Sequence, residues 1–158
     1  GFVLASSPFA MIFAAPLAGR LAKGVSPHRI AVAGSAMSSL GLFGIALAGG
    51  HPALVWLIAA MGVQGFGVGL FQVAYFDIIT GVIPPRNRGV AGALGMATRS
   101  IGTVTGATVL MLIFQILRAA GGEGGFTGAF QATFAVAGGI NAMVTLVQVL
   151  GRRGTPRD

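Results

Sequence analysis

Five long apolar stretches dominate the sequence and constrain the fold more than any other feature. They cover approximately residues 2–19, 30–49, 53–79, 90–117 and 126–150, and only Asp77 and Arg99 interrupt them with a charge. A stretch of about 20 apolar residues lets a helix cross the hydrocarbon core of a bilayer, and the alternation of membrane barrels is missing. The sequence therefore predicts an all-α, polytopic helical membrane protein, with five transmembrane helices in one domain, residues 1–151.

Composition excludes most other classes of protein. Only 8% of the residues are charged, against about 25% in an average soluble domain. Cysteine is missing and His28 and His51 stand apart from any further ligand, so we expect no metal site. Without a phosphate-binding or nucleophile motif, we expect no cofactor and no enzymatic activity. The net charge of +7 comes from separate loops, so nucleic acid is not an expected partner.

The loops between the stretches alternate in their content of Lys and Arg. Cationic segments follow the first, third and fifth stretches, whereas the second is followed by no Lys or Arg and the fourth by Arg118 as its single cation. Because cytoplasmic loops carry the excess of Lys and Arg, we expect the first end of the chain outside and the tail, residues 152–158, in the cytoplasm. The surrounding lipid bilayer would be the inner or plasma membrane. The chain enters an apolar stretch directly at Gly1, so we also expect a fragment of a longer protein.

The fourth stretch carries small residues along one helical face. At about 100° per residue, this face contains Gly92, Gly95, Arg99, Gly102 and Gly106. Small residues let the backbones of two membrane helices approach closely. The face is therefore predicted to pack against protein rather than lipid.

Arg99 lies about 11 residues, or roughly 15 Å, beyond Arg88 and so near the middle of the bilayer. An arginine at this depth costs at least about 2.5 kcal/mol, so we expect it to face a cavity or a partner group. It either has a structural role, as an ion pair or a snorkelling side chain, or it senses the movement of substrate or protons. Asp77 is the carboxylate of the membrane region that Arg99 could influence, unless Asp77 pairs at the interface with Arg86 or Arg88.

The third stretch separates two kinds of side chain on opposite faces. One face carries the polar and aromatic residues Gln64, Phe71, Gln72 and Tyr75. We expect it to line a water-exposed cavity for small amphipathic substrates, although hydrogen bonds between helices would use the same glutamines. Nearly opposite lie three glycines that we expect in helix packing, which are Gly62, Gly65 and Gly69.

Polar residues of the second and fifth stretches receive a structural interpretation. Asn141, Thr145 and Gln148 share one face without an ionisable group, which favours hydrogen bonds between helices over ligand binding. The serines of the second stretch can bond to the backbone of their own helix, so they need no functional role.

The loop after the first stretch resembles a motif of a known family. It runs from Gly19 through Arg20 and Lys23 to Arg29, and it is similar to the second copy of the loop motif of the major facilitator superfamily. Gly19 matches the first position and Arg29 fits the basic end. Lys23 stands where the family usually has an acidic residue.

A longer resemblance covers residues 62–69, the loop Ile83-Pro84-Pro85-Arg86-Asn87-Arg88-Gly89 and the segment 99–106. It is similar to the late helices of the drug:proton antiporter group with fourteen spans. There, a Gly-rich helix precedes a Pro/Arg loop and a helix with an Arg followed by spaced Gly. The resemblance implies the last five spans of a transporter, in a C-terminal half whose partner is the missing N-terminal half. It also implies that the third span lines a cavity and that the second and fifth are outer helices.

These features together predict proton-coupled efflux of amphipathic, often cationic, small molecules by alternating access. The polar face of the third stretch would bind the substrate, and Arg99 with Asp77 would take part in coupling to protons. Two alternatives remain open at this point. One is a transporter of the same family that imports sugars, organic anions or nutrients, and the other is a membrane subunit without transport of its own.

Overall fold

The computed structural model describes residues 2–48, 54–120 and 125–151. These ranges contain five helices, which are α1 (Phe2–Leu21), α2 (Pro27–Leu47), α3 (Leu54–Val82), α4 (Arg88–Ala120) and α5 (Gly125–Gly151). A 3₁₀ turn, Pro85–Asn87, precedes α4, and the described ranges contain no strand. Each apolar stretch forms one helix, so the predicted all-α fold is confirmed. The tail, residues 152–158, and the loop with His51 lie outside the described residues.

Several helices extend past the predicted stretches at the ends that face loops. α2 begins at Pro27 rather than Ile30, and α3 continues to Val82 rather than Ile79. The prediction counted apolar residues alone, whereas helical hydrogen bonding continues into polar residues. Proline suits the start of α2 because the first turn needs no backbone N–H from it. The Pro84-Pro85 pair cannot continue α3 and marks its end.

The surface of the bundle is the surface of a membrane protein. Within the described chain, α2, α3, α4 and α5 are each long and apolar enough to cross a bilayer. Large apolar side chains are widely exposed, for example Leu47 at 75%, Val82 at 81% and Val90 at 74%. Contiguous apolar surface of this kind is rare on soluble monomers and suits hydrocarbon. The chain is therefore a multi-pass membrane protein.

α3 occupies the centre of the bundle. Its most extensive contact is with α2, which runs antiparallel to it, and α1 packs along another side. α5 packs against α2, and α4 packs against α5 with a smaller contact to α3. A space consequently remains between α2, α3, α4 and α5.

Small residues build the core. Its buried cluster consists of Ala14, Ala18, Ile30, Ala31, Leu70 and Ala74. No large side chain among the described residues is fully buried. Helices that meet through alanine and glycine approach closely, which is how membrane helices gain van der Waals contact.

Glycines form the crossing of α2 and α3. A Cβ atom at Gly34 would lie 2.5 Å from the backbone N of Phe71, and one at Gly67 would lie 2.6 Å from the carbonyl O of Gly34. At Gly41, a Cβ would lie 2.5 Å from the backbone N of Gln64. These three glycines were not predicted as packing residues, yet they make the closest approach between the two helices.

The predicted packing glycines of α3 divide into two groups. Gly65 packs against Ser7 of α1, and Gly69 packs against Ala14 of the same helix. A Cβ at Gly62 would meet no atom within 4 Å in the described chain. Within the described residues, Gly62 therefore makes no close helix contact, and its role in packing stays a prediction.

Candidate functional site

An open cavity of about 740 Å³ lies between α2, α3, α4 and α5. This volume falls within the range of roughly 300–1,000 Å³ typical of small-molecule sites. Four polar residues line it, which are Gln64, Arg99, Thr103 and Asn141. The rest of the lining is apolar: Leu42, Gly102, Gly106, Val109, Leu110, Ala137, Ile140 and Val144. Apolar walls with a few convergent polar groups can hold and orient an amphipathic molecule.

The small face of α4 forms one wall of this cavity. Gly102 and Gly106 lie on it at helical spacing from Arg99, and a Cβ at either glycine would meet no atom within 4 Å in the described chain. The same holds for Gly92, whereas Gly95 packs at ordinary distances against Tyr75 of α3. These three glycines therefore meet no other helix within the described residues, and their packing against protein stays a prediction. α4 stands off from α3, and the absent Cβ atoms widen the cavity.

Arg99 lies on the cavity wall, about 16 Å along α4 from its start at Arg88. The hydroxyl of Thr103 donates a hydrogen bond to the carbonyl oxygen of Arg99 at 2.9 Å, so it stays on its own helix. No Asp or Glu is among the residues that line the cavity. The guanidinium is thus the one formal charge on the described wall.

Gln64 reaches the cavity from α3, where its backbone fits against Gly41 of α2. The hydroxyl of Ser7, on α1, donates a hydrogen bond to Oε1 of Gln64 at 3.1 Å. Both sequence interpretations of this glutamine therefore apply, because it lines a cavity and bonds to another helix.

Asn141 reaches the cavity from α5 and was not predicted as part of a binding site. The hydroxyl of Ser35 on α2 donates to Oδ1 of Asn141 at 3.1 Å and also contacts Oγ1 of Thr145 at 2.5 Å. The predicted hydrogen bonding between helices is thus present for Asn141 and Thr145, and Ser35 takes part in it, whereas Oε1 of Gln148 is buried without a partner in the described chain. Near one end of the bundle, Nε2 of His28 contacts the carbonyl oxygen of Gln148 at 3.2 Å.

The remaining predicted substrate residues of α3 do not line the large cavity. Phe71 lines a smaller neighbouring cavity of about 160 Å³, which shares Asn141 and Val144 with the large one. The rings of Phe71 and Tyr75 stack with centroids 6.1 Å apart and an angle of 18° between their planes. Oε1 of Gln72 is buried without a hydrogen-bond partner in the described chain.

Asp77 does not meet Arg99. Tyr75 and Ile79 are the α3 residues that face Gly95 of α4. Asp77 lies two residues from each of them, so it points about 200° away around the helix. It is exposed, and the cavity that contains Arg99 does not include it. We expected Asp77 and Arg99 to act on each other directly. This expectation is wrong within the described chain, because Asp77 lies on the side of α3 that faces away from α4.

The predicted loop motif lies at the end of the bundle opposite Arg118. Gly19 and Arg20 lie in the last turn of α1, Lys23 lies in the turn that follows, and Arg29 lies in the first turn of α2. The turn is closed by a hydrogen bond from the backbone N of Val25 to the carbonyl O of Leu21 at 2.8 Å. A Cβ at Gly19 would meet no described atom within 4 Å. In the described residues no His, Asp and Glu come together as a group able to hold a metal ion.

Comparison with known proteins finds transporters that are similar to this chain in sequence. The chain is 35% identical over 116 residues to the "Uncharacterized transporter YebQ" of Escherichia coli K12, an overlap of 73% of this chain and 25% of that protein. It is 26% identical over 114 residues to the "Riboflavin transporter RibZ" of Clostridioides difficile, covering 72% of this chain and 25% of that one. The chain thus spans about a quarter of the length of these curated relatives. No solved structure gives a significant match.

The family comparison covers the chain completely. The model of the Major Facilitator Superfamily matches residues 1–158. Relatives named as transporters agree with a membrane bundle that encloses a cavity and point to a transporter rather than an enzyme. This chain therefore belongs to the Major Facilitator Superfamily of transporters.

Proposed function

We propose that the chain is the C-terminal part of a proton-coupled transporter that exports amphipathic small molecules from the cell. Its five helices would move against an N-terminal half, in the alternating access that paired helical repeats permit. The group with fourteen spans is the proposed affiliation within the superfamily. The proposed setting is the inner or plasma membrane, with the first end of this chain outside and its tail in the cytoplasm.

The observation that carries the proposal is the cavity between α2, α3, α4 and α5. Its walls are apolar over most of their area, yet Gln64, Arg99 and Asn141 meet there from three different helices. An amphipathic molecule needs both kinds of surface, because its apolar part gains from leaving water and its polar part must keep hydrogen bonds. Riboflavin, for which one relative is named, is a flat aromatic ring with a polar chain and is amphipathic in this sense.

Different residues of the cavity have different proposed roles. Gln64 and Asn141 would orient the polar part of the substrate, and Phe71, held by its stack on Tyr75, would contact the aromatic part. Gln72, whose side-chain oxygen has no partner in the described chain, would bind the substrate when the helices move. Arg99, the one formal charge on the described cavity wall, would take part in coupling as a fixed positive charge.

The test uses the full-length gene in a cell that lacks its own efflux pumps. Accumulation of a set of amphipathic dyes is expected to fall when the transporter is expressed and to recover when a protonophore collapses the proton gradient. Arg99→Gln is expected to abolish the effect, and Arg118→Gln, an exposed arginine at the far end of α4, serves as the matched control. Accumulation that is unchanged by expression, or unaffected by the protonophore, refutes the proposal.

Orientation has a separate test. The chain contains no cysteine, so a single cysteine can be introduced at chosen ends of helices in a cysteine-free full-length protein. A membrane-impermeant thiol reagent added outside cells is expected to label Ala120→Cys and to spare Gly24→Cys and Asn87→Cys. The opposite pattern contradicts the proposed orientation.

A further inference from the structure

The hydrogen bonds behind the cavity wall determine which atoms remain for a ligand. Oε1 of Gln64 already accepts a hydrogen bond from Ser7, and Oδ1 of Asn141 already accepts one from Ser35. A side-chain amide has one oxygen that can accept two hydrogen bonds and one nitrogen that donates two hydrogens. Because a serine hydroxyl occupies one acceptor position on each oxygen, each amide keeps two N–H donors and one acceptor position for a ligand.

The other two polar residues of the wall add to the same imbalance. Arg99 has five N–H donors and no acceptor. The hydrogen of the Thr103 hydroxyl is donated to the carbonyl oxygen of Arg99, so this side chain offers a ligand an acceptor and no donor. Donors therefore outnumber acceptors strongly, and they come from α3, α4 and α5.

The charge of the cavity wall also favours an anionic ligand. Arg99 is cationic, and none of the lining residues is an Asp or Glu. Asp77, the acid that the described ranges contain, is exposed on a different part of α3. The guanidinium would repel a cationic substrate in this cavity. It would attract an anionic group and also donate hydrogen bonds to it.

We infer that the cavity binds substrates through an anionic group, such as an ionised carboxylate, with Arg99 as the counter-charge. The amide nitrogens of Gln64 and Asn141 donate to the same group, and the aliphatic wall holds the apolar body of the molecule. This inference rests on the proposed function, since it names the class of substrate for that site. It replaces the preference for cations that the polar and aromatic face of the third stretch suggested.

Equilibrium binding to the purified full-length transporter tests this inference without a proton gradient. The probes share one pyrene ring and a short alkyl chain, and they end in a carboxylate, a primary amide or a trimethylammonium group. Fluorescence titration at neutral pH gives a dissociation constant for each. The carboxylate is expected to bind at least about tenfold more tightly than the trimethylammonium probe, as a charge-assisted contact in a poorly hydrated cavity provides.

Three variants separate a direct contact from a structural effect. Arg99→Gln is expected to bring the carboxylate and trimethylammonium constants within roughly twofold of each other, while the amide probe binds as before. Gln64→Glu, which adds an acceptor and a negative charge from α3, is expected to weaken carboxylate binding and tighten trimethylammonium binding. Arg118→Gln is the matched control and is expected to retain the wild-type order.

The outcomes are distinct. A wild-type protein that binds trimethylammonium as tightly as the carboxylate overturns the inference and indicates that an acid from the rest of the transporter neutralises Arg99. An unchanged order in both Arg99→Gln and Gln64→Glu also overturns it, and so does a carboxylate probe that fails to bind. A carboxylate preference without gradient-dependent transport would refute the proposed function and leave the binding inference standing.

Discussion

Gly67→Ala is the substitution that tests the α2–α3 crossing most directly. The added methyl group would lie 2.6 Å from the carbonyl oxygen of Gly34. A Cβ contact becomes ordinary at 3.4 Å, and the backbone N of Ser38 would be closer still, so the two backbones must separate by at least 3.4 − 2.6 = 0.8 Å at this point. The blocking atoms belong to the backbone and cannot turn away as the end of a side chain can.

The size of the effect follows from two opposing terms. Overpacking costs about 1–3 kcal/mol, and the upper end applies here because a whole helix must move. Alanine in place of glycine gains about 1 kcal/mol from helix propensity. Gly67→Ala is therefore expected to lower the free energy of unfolding by about 2 kcal/mol. Gly62→Ala, with open space around its Cβ, is expected to raise it by up to about 1 kcal/mol.

The assay is thermal unfolding of the full-length protein in detergent, with both variants measured against the wild type. We expect Gly67→Ala to melt several degrees below the wild type and Gly62→Ala at or slightly above it. Gly34→Ala separates the same two backbones, because its Cβ would lie 2.7 Å from the carbonyl oxygen of Gly67. The double variant should therefore lose much less than the sum of the two single losses.

Two results would refute this reasoning. Equal melting temperatures for Gly67→Ala and Gly62→Ala would show that the helices are not in backbone contact at Gly67. Strict additivity of Gly34→Ala and Gly67→Ala would show that the two glycines belong to separate contacts.

Three further predictions concern single polar groups. Arg99→Gln is expected to abolish efflux, which transport in vesicles measures. The amount of protein in the membrane, measured by immunoblotting, is not expected to fall, because the change removes an insertion cost of at least about 2.5 kcal/mol. Asp77→Asn is expected to leave the pH profile of efflux unchanged, because Asp77 faces away from the cavity, and a shifted profile would contradict this placement. Ser35→Ala is expected to lower stability by about 0.6–1.7 kcal/mol in thermal melts, because its hydroxyl joins α2 to Asn141 on α5. Ser39→Ala is its control, since that hydroxyl bonds to its own helix.

The sequence predicts the helices of this bundle well and their contacts less well. Hydrocarbon demands long apolar segments with internally satisfied backbones, so the five stretches could be read directly. Contacts between helices depend on rotation and crossing point, which the sequence alone does not determine. Glycines occur on several faces of α3, and nothing local distinguishes Gly67, which meets α2, from Gly62, which meets no described residue.

The cavity shows the same division. The depth of Arg99 and the hydrogen-bonding character of Gln64 are local properties, and both residues do line the cavity. Asn141 was interpreted as a packing residue, and its bond to Ser35 agrees with that. Its second role depends on α4 standing apart from α3, a long-range feature without a sequence signal. Small residues four positions apart on α2, such as Gly34 and Ser38 or Ser35 and Ser39, are a local sign of close packing, but they do not identify the partner helix.

Ser7 and Ser35 have a consequence for how such transporters diverge. Neither serine lines the large cavity, yet each engages the oxygen of an amide that does. Losing either hydroxyl would free an acceptor towards the ligand and make the pocket more tolerant of positively charged molecules. Drift in selectivity between relatives can thus arise one layer behind the lining, so two proteins with identical walls need not carry the same cargo.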